Sequence, residues 1–513
     1  MQTILRINNS VQLKDSKDRN IDIPLIFIFA LLLLLIGFSK HFLFAREQGL
    51  PIPINHDEFA YLLSADTFSQ GRLTNPPHPF WEHFQTFHVF FHPTYQAKYP
   101  PGQGIFLAIG QVFFDEPIWG AWISLALAYV AIFWFFLSDF KPFFAFISTL
   151  VIIFNPYINL LWAQSYWGGG VAMLGGGLFY GGISHSRIKV SFSNTIGFCI
   201  GLTVLANSRP FEGFIVFIIS FPILVSIAIK GFLFEKRQEV INKFIVPICL
   251  TFLLIFIWIF YYNFKITGNP LNYFYLNWNY HSASINLIKE YQGSVPLSLT
   301  SKILRLWGFF IGPYLLIFFL MGIISILFKK DKIFELISIF ILSTISILYT
   351  RAWPHYIAPI TCLIYFIIFK GISETYKLKI IKSEKTKEIV VLFLIVFYYI
   401  IAYKELNSLV KKRDNSLRSN LHHRIPIIEK LNNNKEKDLI FVKYNKNHNI
   451  HMEWVYNSAD IDNSDIIWAH CLGPEKDKAM INYYKNRKIW VLFPDRQPPE
   501  LLKIKDADSY FSQ

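Results

Sequence analysis

The chain is 513 residues long, with a formal net charge of +14, 53% hydrophobic residues and 16% charged ones. Its mean hydropathy of +0.36 excludes an ordinary soluble protein of several domains and makes it a polytopic membrane protein. The basic excess does not point to nucleic acid, because most Lys and Arg fall in short loops between apolar runs, where they set orientation.

Lys14, Lys17 and Arg19 precede a first apolar run from Ile21 to Phe38. The run is long, lacks a small-residue cleavage pattern and ends in Lys40 and His41, so it reads as a retained span preceded by a cytoplasmic segment, 1–21. Runs of about 20 apolar residues suffice to cross a bilayer. They predict eleven spans, near 22–45, 118–138, 142–162, 168–184, 191–207, 212–230, 243–263, 303–328, 332–350, 354–369 and 388–403. The ten-residue run Ile105–Phe114 is either a short further span or an interfacial helix. Leaving it uncrossed keeps the Lys-rich loops 230–243, 329–332 and 370–387 on the side of the N-terminus. The positive-inside rule therefore favours eleven spans with a cytoplasmic N-terminus.

That topology puts the first outer loop 46–117, a second outer loop 264–302 and the polar tail 404–513 outside the cell membrane. In the tail, strand-like runs Leu439–Tyr444, Asp465–His470 and Ile489–Phe493 with a helical stretch near Lys476–Lys485 predict a small α/β domain. The expected fold is an all-α polytopic membrane module, 22–403, followed by that extracytoplasmic α/β domain. The glycine-rich segment Gly168–Gly182 reads as a small-residue packing face between helices. Cys199, Cys249 and Cys362 lie in apolar runs and Cys471 stands alone in the tail, so no disulfide framework is legible.

The candidate chemistry gathers in the outer loops. Asn55 can cap a helix starting at His56, with Glu58 completing a capping box and Asp57 favoured near the positive end of the helix dipole. Alternatively, a carboxylate there serves as general base toward a hydroxyl or holds a divalent cation. Lys98, in Lys98-Tyr99-Pro100-Pro101-Gly102, either snorkels to the interface or contacts a lipid phosphate. Arg209 and Arg351 are single arginines in very short outer loops. Their plain roles are an ion pair with Glu212 and a cation over Trp353, and their functional role is forked recognition of a phosphate. His56, His78, His83, His88 and His92 crowd the first outer loop, and His88 and His92 share a face only if that stretch is helical. The surrounding aromatics fit an interfacial belt, and no metal site is assigned.

Asp57-Glu58-x-x-Tyr61 in a large outer loop, followed by Lys98-Tyr99-Pro100-Pro101-Gly102 before a short helix, resembles the GT-C superfamily of membrane glycosyltransferases. Within it, the protein O-mannosyltransferases and the lipid A aminoarabinose transferase are the nearest in pattern. The resemblance implies transfer of a sugar from a polyprenyl-phosphate donor to a glycan, lipid or protein acceptor on the outer side of the inner membrane, usually with inversion. It implies Asp57 as base with Glu58 its neighbour, and Lys98 as the lysine that approaches the donor phosphate. From their own placement, Arg209, Arg351 and His355 are expected to hold that phosphate with Lys98, and Tyr61 to bind substrate. Two departures stand out. Tyr99 interrupts the Lys-Pro-Pro pattern, and Gln164–Gly170 occupies the place where many relatives carry a second Asp. Two rivals are a secondary transporter, which would carry ionisable residues midway through its spans, and a non-catalytic envelope-glycan assembly protein.

Overall fold

The structure, a computed structural model, describes residues 23–53, 55–274, 297–330, 332–348, 351–377, 397–398, 400–409, 424–433, 436–449 and 453–504. The N-terminal segment 1–21, most of outer loop 264–302 and most of the predicted span 388–403 lie outside the described residues.

The chain is mostly helical. After α1 (Ile23–Gln48) come α2 (His56–Ser69), a short antiparallel pair β1 (Val89–Phe90) and β2 (Gln96–Ala97), α3 (Pro101–Phe114) and α4 (Ile118–Phe136). Then follow α5 (Pro142–Ile153), α6 (Gly169–Ile188), α7 (Phe192–Ser208), α8 (Pro210–Phe234) and α9 (Arg237–Thr267). The membrane part closes with α10 (Leu299–Phe310), α11 (Gly312–Lys329), α12 (Ile333–Leu348) and α13 (Thr361–Lys377). Among the described residues six helices are long and apolar enough to cross a membrane, or seven if α5 and the bent stretch Pro156–Ala163 count as one span.

The helices fall where the apolar runs predict them, with differences that have local causes. The predicted span 303–328 is broken into α10 and α11 at Gly312, whose φ of 59° ends the first helix in the left-handed region that glycine adopts freely. The predicted span 142–162 bends by 52° after Ile153, where Pro156 cannot donate to the preceding turn. The Lys40 ammonium of α1 reaches into that break, to the Ile153 carbonyl and the Asn159 side-chain oxygen. The α3 helix has 14 residues, about 21 Å at 1.5 Å per residue, short of the ~30 Å hydrocarbon core.

At the centre, α6 packs between α4 and α7, and its glycines allow the approach. A Cβ on Gly176 would overlap the Pro359 carbonyl just ahead of α13, and one on Gly201 of α7 would overlap the Phe179 backbone. The glycine-rich segment therefore works by shape, letting backbones touch where no hydrophobic force distinguishes helix from lipid.

The tail adds α14 (Arg424–Asn432) and a four-stranded sheet of β3 (Asp438–Val442), β4 (Ile466–His470), β5 (Lys488–Phe493) and β6 (Glu500–Ile504), with α15 (Pro474–Tyr483) between β4 and β5. The strand order is β4-β3-β5-β6, β3 lying parallel to both neighbours and β6 antiparallel to β5. Alternation along the strands divides the core. Ile440, Val442, Trp468, Trp490 and Leu492 pack with Ile427 and Leu431 of α14, while Leu439, Phe441, Ile467 and Val491 join the core that continues into the first outer loop. The three predicted strands form, and the structure adds α14 and the half-exposed edge strand β6.

This domain sits on the first outer loop. His83 and Asp477, with side chains 3% and 2% exposed, lie 3.1 Å apart across the seam. Ala459 N–H donates to Asp66 of α2 at 2.6 Å, and the Tyr456 ring stacks on Phe59 at 3.9 Å.

Gly176→Ala should destabilise the detergent-solubilised protein by about 1–3 kcal/mol through overpacking, seen as a lower thermal unfolding midpoint. Gly308→Ala, whose Cβ meets nothing within 4 Å, should leave that midpoint unchanged or raise it.

Candidate active site

Asp57 and Glu58 stand side by side at the N-terminus of α2 but face different neighbours. Asn55 has extended backbone, and the capping box predicted from Asn55 and Glu58 forms. Glu58 is 2% exposed, and its Oε2 accepts the Asn55 N–H at 3.1 Å. Its Oε1 accepts the Tyr166 N–H at 3.0 Å. Both oxygens thus bind backbone, tying α2 to the loop after α5. The same loop is held by Gln103 Nε2, which donates to the Tyr166 carbonyl at 2.9 Å, and by the Tyr166 hydroxyl, which donates to the Pro51 carbonyl at 2.9 Å. The segment that lacks a second acid is therefore an anchor for the first.

Asp57 turns toward Tyr99 and His88. The Tyr99 hydroxyl donates to Asp57 Oδ1, and His88 Nε2 lies 3.5 Å from the same oxygen. Tyr61, one turn along α2, stacks on the Tyr99 ring at 4.6 Å, and Lys98 Nζ lies 5.3 Å from the Tyr99 ring centroid. Tyr99, the residue that interrupts the Lys-Pro-Pro pattern, is thus a direct partner of the carboxylate.

Three segments far apart in sequence supply positive charge. Lys98, Arg209 and Arg351 all act electrostatically on Asp57. Gly102 abuts the Asn207 carbonyl, where a Cβ would overlap it, so the Pro-Pro-Gly turn brings the Lys98 loop against the α7–α8 junction that bears Arg209. Arg209 is 8% exposed, its guanidinium 5.4 Å from the Tyr356 ring centroid, and it acts electrostatically on both Glu212 and His355. The Arg351 carbonyl accepts Arg305 Nη1 at 3.0 Å. The guanidinium of Arg305 lies 4.4 Å from the Trp353 ring centroid, the place the sequence reading gives to Arg351. Arg305 carries no sequence signal of its own, since it lies on an amphipathic helix among other basic residues.

Protonation follows from this enclosure. The Asp57 side chain is 38% exposed, open on one side, yet burial raises its pKa above the usual carboxylate value against the pull of Lys98, Arg209 and Arg351. Burial lowers Lys98 to about 8, opposed by Asp57. Burial also pushes Tyr61 up to about 12. His355 is 8% exposed. Its Nδ1 is buried with no hydrogen-bond partner among the described residues.

The histidines separate. His88 has a φ of 66° and precedes β1, so the helical face expected for His88 and His92 does not form; His92 packs edge-on against Trp81 at 4.7 Å. His56 Nδ1 is hydrogen-bonded to the Tyr456 hydroxyl, and His78 pairs with Asp462 at 3.1 Å. Among the described residues no group of three or more His, Cys, Asp or Glu could hold a metal ion. At Asp57 itself a divalent cation would meet one carboxylate among three protein cations, a donor set that fits it poorly.

No family model matches the chain, and no curated protein sequence does. Similarity is found to solved structures of the oligosaccharyltransferase of Archaeoglobus fulgidus. The apo form aligns at TM-score 0.44 and 13% identity, over 74% of this chain and 54% of that one. A complex with zinc and sulfate gives 0.49 and 13%, over 91% and 67%. A complex with an inhibitory peptide and a dolichol-phosphate gives 0.43 and 14%, over 74% and 56%. The chain spans little more than half the length of the apo structure. Likeness at this level does not by itself establish a shared activity.

Because Lys98 is lowered to about 8, its charge is present below that value and lost as pH rises through it. Affinity for a polyprenyl phosphate, measured by binding to detergent-solubilised protein, should fall as pH rises through about 8. In Lys98→Arg that dependence should flatten, since guanidinium stays charged.

Proposed function

We propose that the protein is a membrane glycosyltransferase that moves a sugar from a polyprenyl-phosphate donor to an acceptor hydroxyl on the extracytoplasmic face. What supports this reading is the setting of Asp57, bonded by Tyr99 beside His88, with Lys98 against the Tyr99 ring and the Arg209 junction packed on Gly102, so that the charges of Lys98, Arg209 and Arg351 act on it. One carboxylate among three cations suits a reaction in which a base activates a hydroxyl and a phosphate departs.

In this reading Lys98, Arg209 and Arg351 hold the donor phosphate, two of them through forked guanidinium contacts. His355, whose Nδ1 has no hydrogen-bond partner among the described residues, adds a hydrogen-bonding group. Tyr61 positions Tyr99 by stacking, and Tyr99 orients Asp57. The acceptor oxygen loses its proton to Asp57 as it bonds to the anomeric carbon, the bond from that carbon to the phosphate oxygen breaks, and the configuration inverts. The cations stabilise the leaving phosphate, preorganised electrostatics of the kind that dominates such barriers. Glu58 acts through structure, holding the start of α2. The acceptor class, glycan, lipid or protein, is left to experiment.

The topology belongs to the same proposal. Eleven spans with a cytoplasmic N-terminus place α2, the Lys98 loop and the tail on one side, in keeping with the seam between tail and first outer loop. The inner membrane is the expected location.

Asp57→Asn should lower kcat for transfer about 10²–10⁴-fold, the usual contribution of a general base, with expression unchanged. Lys98→Met should instead weaken donor binding, read as loss of co-purifying polyprenyl phosphate in mass spectra of the extracted lipids. Full turnover by Asp57→Asn refutes the assignment. A reporter fused after Gln513 should signal from outside the cytoplasm; a cytoplasmic signal would remove the eleven-span arrangement.

A further inference from the structure

A base that takes a proton in each turnover must also lose it. Asp57 is open on one side, but that is the side an acceptor hydroxyl has to occupy. Glu58, the adjacent acid, is bound to backbone N–H groups. The titratable groups facing Asp57 from the rest of the first outer loop are Tyr99, which donates to it, Lys98, and His88, whose Nε2 lies 3.5 Å from Asp57 Oδ1. Tyrosine and lysine are poor acceptors near neutral pH. Imidazole is the side chain whose ordinary range suits that task.

The backbone presents His88 in an unusual way. Its φ of 66° lies in the left-handed region, uncommon for residues other than glycine and enriched at functional sites. The Lys98 N–H holds its carbonyl at 2.9 Å. Around the imidazole stand Tyr99 at 5.5 Å between ring centroids, His56 at 6.2 Å and perpendicular, and Phe87 at 5.9 Å. The His88 side chain is 16% exposed, so solvent reaches the imidazole as well as the carboxylate.

We propose that His88 is the proton outlet of the site. After Asp57 accepts the hydroxyl proton, the O–H bond on Asp57 breaks as an N–H bond forms at His88 Nε2, which restores the carboxylate. The imidazolium then loses its Nδ1 proton to water, and exchange with solvent (a proton gained at Nδ1, one lost from Nε2) returns the starting tautomer before the next turnover. This requires the neutral tautomer protonated at Nδ1. The inference rests on the reading of Asp57 as base. His88 acts through Asp57 and makes no claim on the substrate, so it is a positioning residue for the proton.

His88→Gly keeps the backbone conformation, since glycine takes a positive φ freely, and removes the imidazole. With full-length protein and a synthetic polyprenyl-phosphate hexose as probe, release of polyprenyl phosphate should fall about 10²-fold in kcat with KM unchanged. Added imidazole should restore the rate. His88→Gln, which fills the space but cannot take the proton, should lose as much and resist rescue. Full rate in either variant, or a loss in His88→Gly that imidazole leaves untouched, overturns the proposal. Wild-type protein that releases no polyprenyl phosphate would sink the glycosyl-transfer reading instead. The Asp57–His88 pairing is then judged without turnover, by diethylpyrocarbonate labelling of His88 followed by mass spectrometry. Asp57→Asn should speed that labelling several-fold near neutral pH, and an unchanged rate would overturn the pairing.

Discussion

Two backbone N–H groups, those of Asn55 and Tyr166, bind the two oxygens of Glu58, and the position of the candidate base depends on this bridge. It caps α2 and ties it to the loop that follows the bend after α5. A buried carboxylate is costly unless its lone pairs are satisfied. Here the satisfaction is local on one side and long-range on the other, so α2 cannot start elsewhere without leaving Glu58 unpaired. With α2 set, Asp57 points to the opposite neighbourhood, where Tyr99 and His88 meet it.

Charge at this site is concentrated by close backbone approach. Gly102 lets the Pro-Pro-Gly turn touch the α7–α8 junction, and Gly176 lets α6 reach the residues just before α13. The first of these contacts sets the loop bearing Lys98 against the junction bearing Arg209. A cation so enclosed loses hydration, which is why burial lowers Lys98 to about 8 against the opposing pull of Asp57. An anion arriving among Lys98, Arg209 and Arg351 is attracted by all three charges. A soluble core would disfavour such an arrangement; a site for a lipid phosphate at the end of a helix bundle favours it.

The tail domain takes part in this geometry. Tyr456 stacks on Phe59 and hydrogen-bonds His56, the residues on either side of the Asp57–Glu58 pair, while Arg424 packs over Phe59 and Trp468 at 5.1 and 4.8 Å. The histidines of the first outer loop, which in sequence resemble scattered metal ligands, mostly mate with acids and hydroxyls of the tail. Their partners lie hundreds of residues downstream, so no local spacing could reveal the pairing.

Membrane character, the positions of most helices, three of the four strands of the tail's sheet and the capping box at Asn55 were legible in the sequence, because each follows from local hydropathy, periodicity or spacing. Asp57, Lys98, Arg209 and Arg351 could be singled out as charges in places where a membrane protein needs a reason for them. The break at Gly312, the bend after Ile153, the turning of Glu58 toward Tyr166, the burial of His355 and the approach of His88 to Asp57 came only from tertiary structure. Each depends on which distant backbone or side chain fills the space alongside, and a linear pattern carries no record of that.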